Sequence, residues 1–334
     1  MASLIAFCVL IRSITPPPYV HIVSEKLAYL VENPDRYDVL MVGSSRVYRQ
    51  ISPAAFDRVL AEAGYPMRSF NLGIGAAKVA EVSFLLKRLE REQVTRPRYI
   101  LVDPDGLYAS IAEVNTNRQR EIYWHEAPET RLALQSLAED DAMTRLSQGQ
   151  RHVRAHLFNR FGYGRLRGYL AGLLRSDADH RRILGRRGDG FVPYTVEGAE
   201  RFERERRRFF LDNLDRYRRG VARQQRQLTR PGRLRPHHRA MFEHLNLVIE
   251  ATGAEPIFIL APVTSSRGEA RKAHRRGILP VLLPFDDPGL YPQLYEVGNR
   301  FDMTHLNRQG AVLYSELLAR EFAQHLRRSG VRAN

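Results

Sequence analysis

The 334-residue chain has one cysteine, Cys8, so no disulfide can close within it. Both oxidising and reducing compartments stay open on that ground. A long apolar run is also missing. In the N-terminal stretch MASLIAFCVLIRSITPPPYV the apolar residues 4–11 fall far short of the roughly 20 that span a bilayer. No basic segment precedes them and TPPP stops them at once. Residues 1–30 therefore read as the remnant of a membrane anchor, with a poor signal peptide or an apolar helix packed on the domain as alternatives. Acidic residues are in deficit: 37 Asp+Glu face 52 Lys+Arg, a net charge of +15, and nearly all the cations are arginine. A surplus of this sign favours acidic glycan, lipid head groups or nucleic acid, and a composition bias of the whole organism accounts for it equally well. No recognised DNA- or RNA-binding motif and no aromatic stacking platform appears, so nucleic acid is not the expected partner. His125, His180, His237, His238 and His244 lack ligand spacing with cysteine or carboxylates, so neither a metal nor another cofactor is expected.

What the chain does have is enough apolar sequence, 43%, to bury a full core. Residues 37–42 form a short apolar run ending at Gly43, as a buried parallel strand does. SPAAFDRVLAEAG follows with a serine cap at Ser52, proline at the first helical position and a terminal Gly64. MRSFNLGIGAA reads as a second strand entering a turn at Gly73 and Gly75. Helical periodicity over residues 76–92 then points Val79, Phe84, Leu85 and Leu89 inward, and RYILVDPDG is a third strand. After residue 235 the pattern returns, with a helix over 240–251, a strand over 256–260, a shorter strand in ILPVLLP and a helix over 307–326. The fold class is α/β: three layers, α/β/α, around a central parallel sheet. The α/β domain takes residues 31–106 and 236–334. Residues 107–235 form a helical, arginine-rich insertion or cap. Within it RFERERRRFFLDNLDRYRRG predicts an amphipathic helix with Phe209, Phe210, Leu211, Leu214 and Tyr217 inward and arginines toward solvent.

In an open parallel sheet, ligands bind beyond the carboxyl ends of the strands. Three turns share that rim: Gly43-Ser44-Ser45, Asn71 to Gly75, and Asp103-Pro104-Asp105. A serine there needs a base and backbone N–H donors for a developing oxyanion. The base candidate is His305 in FDMTHLNRQGA, with Asp302 three residues before it to fix the ring's tautomer. Each residue also has a plainer reading: Ser44 and Ser45 as caps, Asp302 and His305 as the start of a helix, Asn71 as turn chemistry. Arg46 and Arg49 lie close enough in sequence to contact an anionic substrate.

VGSSRV, FNLGIGAA and DMTHLN resemble, in order and position, the first, second and last motif blocks of the SGNH/GDSL hydrolase superfamily. The flavodoxin-like fold of that superfamily is thereby implied for residues 37–106 and 240–326. The chain is similar to the bacterial exported branch that handles acyl groups in alginate acetylation and teichoic-acid D-alanylation. The resemblance implies Ser45 as nucleophile and first oxyanion donor, His305 as base and Asp302 as its orienting acid. It implies a second donor at Gly75, with Gly73 and Ala76 as alternatives. Asn71, Arg46 and Asp105 are the substrate-binding candidates. In the third block, family members with a full oxyanion hole carry Gly-x-Asn-Asp, and this chain has VDPDGL, whose carboxylates cannot donate when ionised. The implied activity is that of a serine esterase or O-acyltransferase on a carbohydrate or cell-envelope polymer ester, on the periplasmic side or, alternatively, in the cytoplasm. A degenerate binding module for acidic glycan or a membrane surface is the competing expectation.

Overall fold

The computed structural model describes residues 2–14, 19–92, 96–104, 110–174, 177–195, 199–228, 232–265 and 268–333. Two helices open the chain, α1 (Ala2–Ile14) and α2 (His21–Glu32), followed by β1 (Val39–Val42), the one-turn helix α3 (Ser45–Tyr48), α4 (Pro53–Glu62), β2 (Ser69–Asn71), α5 (Val79–Arg91) and β3 (Tyr99–Val102). The insertion holds α6 (Gln119–Tyr123), α7 (Ala127–Ser136), α8 (Ala142–Arg160), α9 (Arg165–Leu173), α10 (Asp177–Leu184), α11 (Arg201–Asp212) and α12 (Leu214–Leu228). Then come α13 (Pro236–Ala251), β4 (Glu255–Leu260), α14 (Glu269–His274), β5 (Leu282–Pro284) and α15 (Arg308–Arg328).

The five strands make one parallel sheet in the order β2-β1-β3-β4-β5. Strand alternation divides its side chains between two cores. Leu40 and Val42 join Phe70, Ile100 and Phe258 beneath α2, α5 and α13. Val39 and Met41 join Leu101 and Ile257 against Phe56 and Leu60 of α4 and Tyr314, Leu318 and Phe322 of α15. The architecture is therefore three-layer α/β/α, as the alternating pattern of the sequence requires. Each fully buried Leu or Phe contributes about 1.5–3 kcal/mol of burial, and the stacked pair Phe56 and Phe322, 5.7 Å apart, locks α4 to α15.

Local chemistry sets the helix ends. Ser52 accepts from Ala55 N–H at 3.4 Å, Pro53 opens α4, and Gly64 at φ +89° lets the chain leave it. Asn307 caps α15 by accepting from Gly310 N–H. Helix α5 begins at Val79 rather than Ala76, because Ala76 sits in the left-handed region at φ +56° and extends the turn.

Residues 1–30, read as one N-terminal segment, divide in two. Helix α1 is tied by Arg12 to the carbonyls of Asn159 and Arg160, whereas α2 buries Val23, Leu27 and Leu30 in the first core and belongs to the α/β unit. Among the described residues no helix is long and apolar enough to cross a membrane. The single amphipathic helix expected across residues 201–220 is also corrected. It breaks at Asn213 into α11 and α12, and only Phe210 and Tyr217 are buried, while Phe209 and Leu211 are 49% and 45% exposed and Leu214 is half-buried. Residues on either side of Phe210 in a helix lie about 100° around the axis, so docking Phe210 inward turns both neighbours out.

Candidate active site

Hydrogen bonds continue from the strands into the turns, which holds the three turns together at the sheet's carboxyl rim. Leu72 N–H donates to Met41 O, Ile74 N–H to Gly43 O and Asp103 N–H to Val42 O, all within 3.0 Å. The strand order reverses between β1 and β3, which makes this crevice the switch point where α/β sheets bind ligands. A Cβ at Gly43 would stand 2.6 Å from a Val47 methyl and 3.2 Å from Asp103; only glycine lets β1 turn this sharply under α3. Ser44 is the cap of α3, its Oγ accepting from Arg46 N–H at 3.4 Å. Ser45, the first residue of α3, is half-buried and keeps an accessible side chain.

From the other end of the chain, a tight loop closed by the Arg300–Leu306 bridge presents Asp302 and His305. Asp302 Oδ1 accepts from the N–H groups of Thr304 at 2.7 Å and His305 at 2.9 Å, so the carboxylate is aimed by its own backbone. His305 Nδ1 is 3.1 Å from both Asp302 oxygens, and Nε2 is 2.9 Å from Ser45 Oγ. Serine, histidine and aspartate thus line up across 260 residues of sequence. Both acid and base are buried. Burial pushes the Asp302 carboxyl up, but the His305 hydrogen bond and charge, Thr304 N–H and Arg206 outweigh it and hold the group well below the usual carboxylate range. Burial is also the main cause that lowers His305, helped by Arg206 and Arg46 and opposed by Asp302. A lowered imidazole is neutral at neutral pH, the state a proton acceptor needs.

Sequence reasoning missed Arg206. This α11 residue donates to Asp302 Oδ2 and lies 2.8 Å from His305 Nδ1. A guanidinium only donates. Facing it, Nδ1 must offer a lone pair, and the ring proton then sits on Nε2 toward Ser45. Facing Asp302, Nδ1 carries the proton and Nε2 is free to accept from Ser45. The two arrangements exclude each other, and Arg206 favours the one in which His305 is not a base toward Ser45. Its neighbour Arg207 donates to the carbonyls of Arg300 and Phe301, and Tyr194 stacks on Phe301 at 4.7 Å and meets His305 edge-on at 5.2 Å. The arginine run is thus not all solvent face. The signal available in sequence was the spacing of Arg206 and Arg207 to the inward Phe210, four and three residues on.

The second turn is more constrained than its glycines suggest. Gly73 N–H is committed to Asn71 Oδ1 at 2.9 Å, which removes it as an oxyanion donor. Ile74 N–H is taken by Gly43 O. The N–H groups of Gly75 and Ala76 have no hydrogen-bond acceptor among the described residues, and nothing lies within 4 Å of where a Gly75 Cβ would be. Asn71 as a substrate ligand is corrected: it is fully buried, with its amide donating to Val47 O and Ile51 O at 2.7 Å each. Beneath this turn lies a second residue the sequence did not flag. Lys26, fully buried, donates to the carbonyls of Asn71, Gly73 and Gly190 at 2.8–2.9 Å and sits 4.1 Å over the Tyr48 ring. Burial drives its pKa well down. Three acceptors for three N–H donors nevertheless match the ammonium form, since a neutral amine would turn its lone pair toward a carbonyl.

Arg46 is half-buried beside Ser45, where its charge opposes protonation of His305. Arg49 is corrected as a substrate contact: it is wedged between the rings of Tyr48 and Tyr194, at 4.8 and 4.7 Å, and donates to Val192 O, pinning the insertion to α3. Asp103 is buried behind Gly43, and Asp105 lies outside the described residues. Of the other histidines singled out in the sequence, His125 pairs with His152, His244 with Ser83, His238 with Glu269 and His237 with Glu139, while the His180 side chain lies outside the described residues. No protein-family model matches the chain, and no curated protein matches it.

Proposed function

We propose that the protein is a serine esterase or O-acyltransferase of the SGNH/GDSL type, acting on an acyl ester of a carbohydrate or cell-envelope polymer. The observation that carries this reading is the 2.9 Å approach of Ser45 Oγ to His305 Nε2, with Asp302 on the ring's other nitrogen. Ser45 attacks the acyl carbonyl while Nε2 takes its proton. The tetrahedral oxyanion rests on the N–H groups of Ser45 and Gly75, or of Ala76 in place of Gly75. Collapse expels the alcohol, which takes the proton back from His305, and leaves an acyl-serine. Water, or a sugar hydroxyl deprotonated by His305, then releases the acyl group. With two backbone donors and no third-turn asparagine, the site lacks one donor of a full hole, a deficit on the order of 10²–10³ in rate.

The reading is tested by fluorophosphonate labelling of wild type, Ser44→Ala, Ser45→Ala and His305→Ala, with p-nitrophenyl acetate turnover in parallel. Labelling is expected to vanish with Ser45→Ala, to weaken strongly with His305→Ala and to persist with Ser44→Ala. Correctly folded wild type that takes no label would leave the binding module as the better reading, and Arg206 against Nδ1 is the observation that favours that alternative.

A further inference from the structure

Large apolar side chains face solvent on three helices that touch one another. In α8, Met143, Leu146, Val153 and Leu157 are exposed and, at 100° per residue, fall within about 80° of the helix circumference, so they form one stripe. In α9, Leu166, Leu170 and Leu173 recur at i, i+4 and i+7, and in α1, Phe7, Leu10 and Ile14 at i, i+3 and i+7, each set again exposed on one helix face. Arg12 of α1 donates to the carbonyls of Asn159 and Arg160 at the end of α8, α1 packs on α9, and Tyr19 N–H donates to Gly168 O of α9. A cavity of about 520 Å³ runs along α8 past Leu146, Val153 and Leu157, almost wholly apolar, with Arg145 and Arg154 in its wall. Single exposed apolar residues are ordinary on a protein surface, but stripes on adjoining helices mark a surface that something covers.

Charge decides what covers it. Asp141 and Asp177 bracket 35 residues that hold seven arginines and not one Asp or Glu, and no acid precedes Glu25 at the start of the chain. Arg145, Arg154, Arg160 and Arg167 are exposed and meet no carboxylate among the described residues. A second copy laid on this face would set arginine against arginine. Leucines flanked by uncompensated arginines are what an interfacial helix presents to anionic lipid, with its apolar stripe at the acyl boundary and its guanidinium groups at the phosphates. Lying on the surface needs no spanning helix, and none is present among the described residues.

We propose that α8 and α9, with α1 beside them, dock the protein onto an anionic lipid surface. The helical insertion, and not residues 1–30 alone, is then the membrane-facing part of the chain. This docking is independent of what Ser45 does.

Vesicle flotation of the intact chain tests this, with phosphatidylcholine vesicles alone and with phosphatidylglycerol mixed in. Flotation is expected with the mixed vesicles and should fade in high salt. Arg145→Gln or Arg154→Gln should weaken it about fivefold each, and Leu157→Gln or Leu170→Gln about tenfold, whereas Leu290→Gln, at a comparably exposed leucine of the α/β domain, should leave it unchanged. A second measurement locates the face: a nitrobenzoxadiazole label on Leu157→Cys or Leu290→Cys, each combined with Cys8→Ser, should brighten and shift to the blue with the mixed vesicles only in the former. No flotation, equal flotation on phosphatidylcholine alone, or an α8 label that does not respond would overturn the proposal. So would a dimer in sedimentation velocity that Leu157→Gln dissolves, which would give the face to a second copy. A protein that floats and takes no fluorophosphonate would keep this surface and lose only the esterase reading.

Discussion

Arg206→Met removes the guanidinium from His305 while keeping a long side chain on α11. Two unit charges about 4 Å apart at an effective dielectric of 20 interact by about 4 kcal/mol. The Arg206 side chain is 27% exposed and Asp302 neutralises much of its charge, so a net effect of about 1.4 kcal/mol, or one pH unit, is the working figure. Arg206 lowers the His305 pKa; removing it raises that pKa. A protonated ring cannot accept from Ser45, so the acid limb of the rate profile should move up by about one unit. The plateau above that limb should rise, by about three- to tenfold, because Nδ1–H returns to Asp302 and Nε2 becomes an acceptor. The assay is the second-order rate of fluorophosphonate labelling, or kcat/KM for p-nitrophenyl acetate, from about pH 5 to 9, with Arg206→Lys as the variant that retains charge but loses the fork. A plateau that falls in Arg206→Met, with the acid limb unmoved, would refute the reasoning and make Arg206 a support for Asp302.

Two further outcomes concern stability. Lys26→Met strands three buried carbonyls and should destabilise the protein by about 3–5 kcal/mol, read as a lower urea midpoint; an unchanged midpoint would mean that the Lys26 clamp does not hold the second turn. Asp57, held by Ser69 Oγ and N–H, is pushed up by burial to about 7. A carboxyl raised in the folded state binds its proton more tightly there than in the unfolded chain. Its contribution is therefore present below about pH 4 and lost as the pH rises toward 7. Asp57→Asn should be more stable than wild type at pH 8 by about 1 kcal/mol or more, with the gap closing by pH 4; a gap independent of pH would count against this account.

The strands, the α4 cap and the inward positions could be read from the sequence because each is set locally: Gly43 and Gly64 by backbone conformation, Ser52 by capping, Val79 and Leu85 by periodicity. Ser45, Asp302 and His305 were legible as candidates from residue type and spacing, and their meeting depends on β1 and the loop before α15 sharing one rim. Lys26 and Arg206 were not legible. A lysine in an otherwise ordinary amphipathic helix and one arginine in a run of them look like solvated charges, and their roles come from what the tertiary fold sets against them. Asn71 failed in the opposite sense, because a turn residue that appeared free to meet substrate is used up by two carbonyls and a glycine N–H.

Ser45 and His305 come from opposite ends of the chain, and the link between those ends is physical: Ser52 N–H donates to Ser315 Oγ at 2.7 Å where α4 meets α15. During synthesis the N-terminal half emerges first. His305, 260 residues later in the sequence, is made long after Ser45. On the esterase reading, the contact between the two ends is what would bring Ser45 its base, and a chain that lost α15 would keep Asp302 and His305 in sequence but lose the Ser315 hydroxyl that ties their end to α4.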